Sequence, residues 1–294
     1  MRLSGTVVAA YGRQYRIELA DGTTLLCVPR GKKSELVCGD QVSVLRTSPD
    51  QGVISSLELR RSLLYRSDHF KQKLIAANVT QVIIVVATEP AFSDELITRC
   101  IVAAESQEIK VLIVLNKCDL LEKVALATTT LTPFQALGYL VLPLCARNDG
   151  ASLLPYLAGH TSLLIGQSGM GKSTLTNALV PDACAPTREI SQALNAGKQT
   201  TTHASLYRPG ASSALIDSPG LTEFGLQHLS VAEISQAFVE LRPLLGQCRF
   251  RDCRHDREPD CSILAAVRRG DIDPRRYAAR SEEHTSELQS LSSI

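Results

Sequence analysis

The chain has 294 residues, of which 44% are hydrophobic, 21% charged and 4% aromatic, with no Trp and a net charge of +1. That length exceeds one average domain, and the composition is that of a packed globular protein rather than a disordered or fibrous one. Near-neutral charge and scarce aromatics exclude a surface committed wholesale to stacking single-stranded nucleic acid.

No apolar run approaches the roughly 18 residues of a membrane-spanning helix. Polar residues interrupt the apolar part of the N-terminus, MRLSGTVVAAYGRQYRIEL, so no signal peptide is expected. Nine Cys, an odd number without an export signal, are not expected to form a disulfide framework. A cytoplasmic monomer is the expectation.

Residues 1–68 read as all-β. Short β-branched stretches of alternating polarity lie at 5–9, 15–19, 23–28 and 41–45. Turn signals separate them at Ala20-Asp21-Gly22, Gly31-Lys32-Lys33 and Cys38-Gly39-Asp40. This spacing predicts a small barrel of OB type, with a small sandwich or SH3-like barrel as alternative patterns. Arg60, Arg61, Arg66, Lys71 and Lys73 form one basic run, and Arg249, Arg251, Arg254 and Arg257 form another. Each is either a solvated face or a set of phosphate contacts.

Residues 69–225 change to an α/β rhythm. The apolar run at 81–87 has buried-strand length. A helix follows, with Ser93 as N-cap, Asp94 and Glu95 in its first turn, and Leu96, Ile97, Cys100, Ile101 and Ala104 at helical spacing. A second buried strand spans 110–115, and strand, helix and strand in this order predict a parallel sheet.

Shorter apolar runs at 162–165 and 213–216 end at phosphate-site motifs. Gly166-Gln167-Ser168-Gly169-Met170-Gly171-Lys172-Ser173, followed by Thr174, matches the P-loop pattern G-x4-G-K-[ST]. The backbone N–H groups of such a loop curl around phosphates at a helix N-terminus. Lys172 is expected to reach the terminal phosphates, and the Ser173 hydroxyl to bind Mg²⁺. Asp217-Ser218-Pro219-Gly220 has the D-x-P-G form, with Asp217 directed at Mg²⁺ through water and the Gly220 N–H at the terminal phosphate. Between them, within 197–202, Thr200 or Thr201 is expected to complete the magnesium shell, and spacing does not choose between the two.

A P-loop alone does not separate ATP from GTP. Asn116-Lys117-Cys118-Asp119 does, because the Asp119 carboxylate accepts from the ring N–H and exocyclic amine of guanine, a pair adenine lacks. Leaving that carboxylate unpaired is costly, so selectivity follows. Asn116 and the Lys117 stem support the base and the P-loop. Cys145-Ala146-Arg147 resembles the S-A-K loop, whose Ala N–H faces the guanine oxygen. Both guanine motifs precede the P-loop, which makes the GTPase domain circularly permuted. The second switch, after Gly220, then feeds directly into the C-terminal segment.

Residues 226–280 are helical and then Cys/His-rich. Cys248-x4-Cys253-x-His255-x5-Cys261 places three thiolates and one imidazole within fourteen residues. A Cys3His set is a closed tetrahedral zinc site, hence structural, and contributes on the order of 10 kcal/mol to folding. Cys27, Cys38, Cys100, Cys118, Cys145 and Cys184 are scattered and expected as core or incidental positions. The last fourteen residues, SEEHTSELQSLSSI, are Ser/Glu-rich and expected to be a disordered or foreign tail.

The permuted motif order, the N-terminal barrel and the Cys/His cluster together resemble the ribosome small-subunit-dependent GTPase family (RsgA, also called YjeQ). The likeness runs from residue 1 to 280. It includes Ala76-Ala-Asn-Val-Thr-Gln81, Asp217-Ser-Pro-Gly-Leu-Thr-Glu-Phe224 and Ala266-Val-Arg-Arg-Gly-Asp-Ile272. The resemblance implies a cytoplasmic GTPase that uses GTP/GDP, Mg²⁺ and one structural Zn²⁺. It would bind the small ribosomal subunit and its rRNA late in assembly, with hydrolysis stimulated by the ribosome and coupled to release.

Two departures bear on catalysis and extent. Leu221 stands where Ras-like enzymes carry a water-positioning Gln, and Gln199 stands where this family's G-[RK]-H-T-T-T stretch has its switch His. A Gln orients water but cannot accept a proton. The expected catalytic set is therefore Gln199, Thr200, Thr201 and Lys172, and the alternative is a nucleotide-switched RNA-binding module with little hydrolysis. The second departure follows Arg280, where the family has a C-terminal helix that the tail replaces.

Overall fold

In the computed structural model, which describes residues 2–31, 35–68, 71–183, 204–220, 226 and 228–281, the first five strands close on themselves. They are β1 (Arg2–Tyr11), β2 (Gln14–Leu19), β3 (Thr24–Pro29), β4 (Gln41–Arg46) and β5 (Gln51–Leu57). β1 pairs antiparallel with both β2 and β4, while β3 runs parallel to β5. The order β1-β2-β3-β5-β4 and back to β1 is the OB-type barrel expected from sequence. Tyr15, Ile17 and Leu19 alternate inward along β2 and meet Val7, Leu25, Val42, Val44 and Ile54. β5 lies outside the sequence expectation because Gln51-Gly52 opens it. The glycine is required: a Cβ there would lie 2.7 Å from Val44 Cγ1 and 3.0 Å from Cys27 Sγ.

Arg60 is neither a solvated charge nor a free phosphate contact. Its Nε and Nη2 donate to the two oxygens of fully buried Asp40 at 2.7 and 2.8 Å. Asp40 also accepts from the Val37 N–H at 2.9 Å, so the pair clasps the loop before β4. β6 (Leu63–Asp68) and β7 (Lys71–Ala77) then form an antiparallel hairpin whose Leu64, Ile75 and Ala76 enter the core of the following domain. The division expected at 68/69 falls at the turn of this hairpin. The side chains of residues 66–72, Arg66 and Lys71 among them, lie outside the described part, as does the tail after residue 281.

The second domain is built on β8 (Gln81–Ala87), β9 (Lys110–Asn116), β10 (Leu140–Pro143), β11 (Thr161–Ile165) and β13 (Ser213–Asp217). These strands are parallel in the order β10-β9-β8-β11-β13. Antiparallel β12 (Ser205–Gly210) extends the edge and meets β1 at Ala9 and Ser205, so barrel and domain share one eleven-stranded sheet. Alternation explains the continuous apolar runs. Val82, Ile84 and Val86 face one layer of helices, and Ile83, Val85 and Ala87 face the other.

The first layer holds α1 (Asp94–Glu105), capped by Ser93 Oγ accepting from the Leu96 N–H, and α2 (Leu121–Ala136). The second holds the short α3 (Leu154–Leu157) and α4 (Lys172–Leu179). After Gly220 come α5 (Val231–Ala237), capped by a Ser230/Glu233 capping box, α6 (Ser262–Arg269) and a helix at 274–281, here α7. Phe238, 1% exposed, joins α5 to the first-layer core, and the Arg276 guanidinium lies 4.9 Å from its ring centre. Phe238→Ala should lower unfolding free energy by about 3–5 kcal/mol. Denaturant titration measures this, and a loss below about 1 kcal/mol would mean the site collapses around the cavity.

Candidate nucleotide and metal sites

Parallel register brings the motif residues to one edge of the sheet. Asn116 closes β9, Leu144-Cys145 follows β10, Gly166 follows β11 and Asp217 closes β13. Ligands of open α/β sheets bind at this carboxyl edge.

Asn116, 2% exposed, joins three motifs with one side chain. Its Nδ2 donates to Met170 O at 2.9 Å, while Oδ1 accepts from the Lys117 N–H at 2.8 Å and the Ala146 N–H at 2.9 Å. The Ala146 N–H, expected to face a guanine oxygen, is thus engaged with Asn116. Gly171, at φ +94°, must be glycine because a Cβ would sit 2.2 Å from Asn116 Nδ2. Lys117 adopts φ +62°, and Thr88 Oγ1 donates to its carbonyl at 2.9 Å. Its Nζ donates to Glu89 O at 2.7 Å, while Asp119 and Arg147 are exposed alongside. The Cys145 N–H donates to Asp149 Oδ1 at 2.6 Å. Thr88, Glu89 and Asp149 were not singled out in the sequence, although Thr88 and Glu89 directly follow a buried strand, where such sites are built.

At the phosphate end, a Cβ on Gly166 would lie 2.2 Å from Val85 O, so the loop packs directly on β8. Lys172 is 7% exposed and donates to Gly166 O at 2.8 Å and Gln167 O at 3.1 Å. Ser173 Oγ donates to Asp217 Oδ2 at 3.2 Å. Asp217 Oδ1 is buried without a hydrogen bond. Burial raises the Asp217 carboxyl to about 6 and lowers the Lys172 amine to about 8, each shift opposed by the other's charge. A buried carboxylate with one free oxygen beside a serine hydroxyl fits Mg²⁺. Gly220 rests on the P-loop, where an added Cβ would lie 3.0 Å from the Ser168 nitrogen, and Ser218 Oγ donates to Leu164 O at 2.6 Å. Ser168, Gly169 and Thr174 line the loop and the first turn of α4, whereas Gln199, Thr200, Thr201 and Leu221 lie outside the described residues.

Cys248, Cys253, His255 and Cys261 present ligand atoms all within 4.8 Å of one another. Cys248 Sγ lies 3.8 Å from Cys261 Sγ and 3.3 Å from His255 Nδ1. Tetrahedral zinc with sulfur at about 2.3 Å requires sulfur–sulfur spacings of about 3.8 Å, so the set fits that ion. Burial, with the neighbouring thiols, pushes Cys253 up to about 12. Cys27, Cys38 and Cys100 are buried in the core, and Cys184 lies outside the described residues.

The family model described as RsgA GTPase matches residues 57–227. The chain belongs to this family. It is 54% identical over 274 residues to the small ribosomal subunit biogenesis GTPase RsgA of Nitrosospira multiformis, covering 93% of this chain and 88% of that protein. The crystal structure of YjeQ from Thermotoga maritima superposes with a TM-score of 0.75 at 28% identity, over 98% of this chain and 99% of that one. YloQ, described as a circularly permuted GTPase, shares the fold with a TM-score of 0.72 at 23% identity, over 99% and 96% of the two chains. As an RsgA-family member the chain is a GTP hydrolase that uses GTP/GDP and Mg²⁺. Among the described residues no helix is long and apolar enough to cross a membrane.

Asp119→Asn exchanges an acceptor for a donor. GDP affinity should fall about a hundredfold, and affinity for the xanthine nucleotide, whose 2-oxo group accepts that donor, should rise. Fluorescence titration with both nucleotides checks the pair. The pH dependence follows from the two buried charges. Below about 6 Asp217 takes a proton, and above about 8 Lys172 loses one, so Mg²⁺–GDP affinity should peak between these values. Stability of the unliganded fold runs the other way at the acid end. A raised carboxyl stabilises at low pH and loses that contribution as pH climbs through about 6. Flat Mg²⁺–GDP affinity through that range would remove Asp217 from the ion's shell.

Proposed function

We propose that this protein is the GTPase of a late step in small-ribosomal-subunit assembly. In its GTP form it binds the subunit, contacts rRNA through the barrel (1–68) and the zinc lobe (226–280), and leaves once GTP is hydrolysed in the 69–225 domain. The observation that carries this reading is the Asn116 side chain, which makes guanine recognition and phosphate binding one unit. It does so in a chain 54% identical to proteins named for that role.

Asn116, Lys117, Asp119 and the 145–147 loop hold the base, and Gly166 to Thr174 hold the phosphates. Ser173, Asp217 and one of Thr200 and Thr201 complete the magnesium shell, and the Gly220 N–H senses the terminal phosphate. The protein acts as a cytoplasmic monomer, with one structural Zn²⁺ on Cys248, Cys253, His255 and Cys261. A closed Cys3His shell retains its metal through EDTA dialysis. Cys248→Ser should lose the zinc, and with it a fraction of the roughly 10 kcal/mol that such a metal contributes to its lobe. Metal analysis and thermal unfolding of both proteins check this.

Water positioning falls to Gln199 with Thr200 and Thr201, and Lys172 stabilises the developing phosphate charge. Gln199→His restores a proton acceptor and should raise subunit-stimulated turnover about tenfold or more. The primary test is hydrolysis of GTP and ATP with and without small ribosomal subunits. Strong, GTP-selective stimulation is expected. GTP binding without stimulated turnover, in the native and Gln199→His proteins alike, would favour a nucleotide-switched RNA-binding module.

A further inference from the structure

The zinc ligand His255 is held in a backbone conformation that side chains disfavour. Its φ is +63°, in the left-handed region where a Cβ crowds the following carbonyl. That conformation is what turns the imidazole back into the cluster, with Nδ1 3.3 Å from Cys248 Sγ and 3.5 Å from Cys261 Sγ. The His255 carbonyl accepts a hydrogen bond from Tyr277 Oη at 2.6 Å.

Tyr277 belongs to α7, which is anchored away from the metal loop. The preceding residue, Arg276, forks onto Glu240 at 2.5 and 3.1 Å, with both side chains almost fully buried. Arg276 also lies over the Phe238 and Phe134 rings, and Arg275 reaches Asp94 at the start of α1 at 3.2 Å. A phenol on a fixed helix thus meets the carbonyl of a strained ligand residue in a separate loop.

We propose that Tyr277 is the positioning residue of this metal site. Its hydroxyl locks the His255 backbone, and so the imidazole, into ligating geometry without touching the ion. Outer-shell hydrogen bonds to a ligand residue set its orientation and its hold on the ion, and here the bond acts through the ligand's backbone. The assignment rests on the reading of the Cys3His set as a zinc site.

The test compares wild-type, Tyr277→Phe and Arg276→Met proteins, with binding of a fluorescent GDP as the control for folding. Each is assayed for zinc content, for zinc release to a chromogenic chelator, and for the visible spectrum after cobalt substitution. Tyr277→Phe keeps the ring and deletes only the hydroxyl. It should bind GDP normally, release zinc about 10–100-fold faster, and show an altered cobalt ligand-field band. Arg276→Met keeps the hydroxyl and removes one of several anchors of α7, so it should alter the cobalt band and the release rate less than Tyr277→Phe does. Wild-type release and an unchanged cobalt band in Tyr277→Phe would overturn the assignment. Wild-type protein holding less than one zinc would overturn the metal reading itself, and the assignment with it.

Discussion

The Asn116 carboxamide, 2% exposed, bonds through both its oxygen and its nitrogen, and the arrangement of the motifs around it depends on those three bonds. A buried amide that loses one partner leaves a polar group with neither water nor protein to satisfy it. The three segments it bonds therefore move together or not at all. Close packing at Gly171 reinforces this, since any side chain there would displace the amide nitrogen. On the proposed reading of the site, this contact couples the base-binding motif that contains Asp119 to the phosphate loop.

Two further sets of contacts explain how a permuted chain keeps the site intact while attaching new lobes to it. Permutation leaves the parallel order of β8, β9, β11 and β13 undisturbed, so the carboxyl-edge crevice survives any order of motifs in sequence. It also moves the attachment points. β12 follows the 184–203 stretch and is joined to the barrel by the Ala9–Ser205 ladder pair. The Cys38 thiol donates to Ala204 O at 3.1 Å, and Arg208 Nη2 reaches Glu18 at 2.6 Å. On the other side, the chain after Gly220 runs through Leu226 and Leu229, both core residues, into α5 and on to the metal lobe. Barrel and metal lobe are each tied to a strand or loop adjacent to β13, which ends in the D-x-P-G motif.

Lys172 and Asp217 show how the site stores readiness for ligand. Both are buried close enough to feel each other's charge, yet burial still shifts each toward its neutral form. Opposite charges that do not fully compensate their own desolvation bind additional charge favourably. On the proposed reading of the site, a phosphate beside the ammonium and a divalent cation beside the carboxylate would supply what the fold alone leaves incomplete.

The amino-acid sequence by itself determined which residue types make up the proposed sites. P-loop, N-K-x-D, D-x-P-G and Cys3His are contiguous patterns whose backbone conformation and side-chain types are local properties, so they were legible without the fold. Strands β8 and β9 were legible as well, because burial on both faces writes an unbroken apolar run. Tertiary structure alone decided what depends on distant pairs. It placed β5 in the barrel despite a weak strand signal, because β3 and β4 supply its ladder on both sides. It turned Arg60 inward onto Asp40, brought Thr88 to the Lys117 carbonyl and set Tyr277 against His255. Each of these contacts joins residues twenty or more apart, and such pairing is set by the register of a closed barrel, the packing of a sheet and the docking of a helix, which no local pattern encodes.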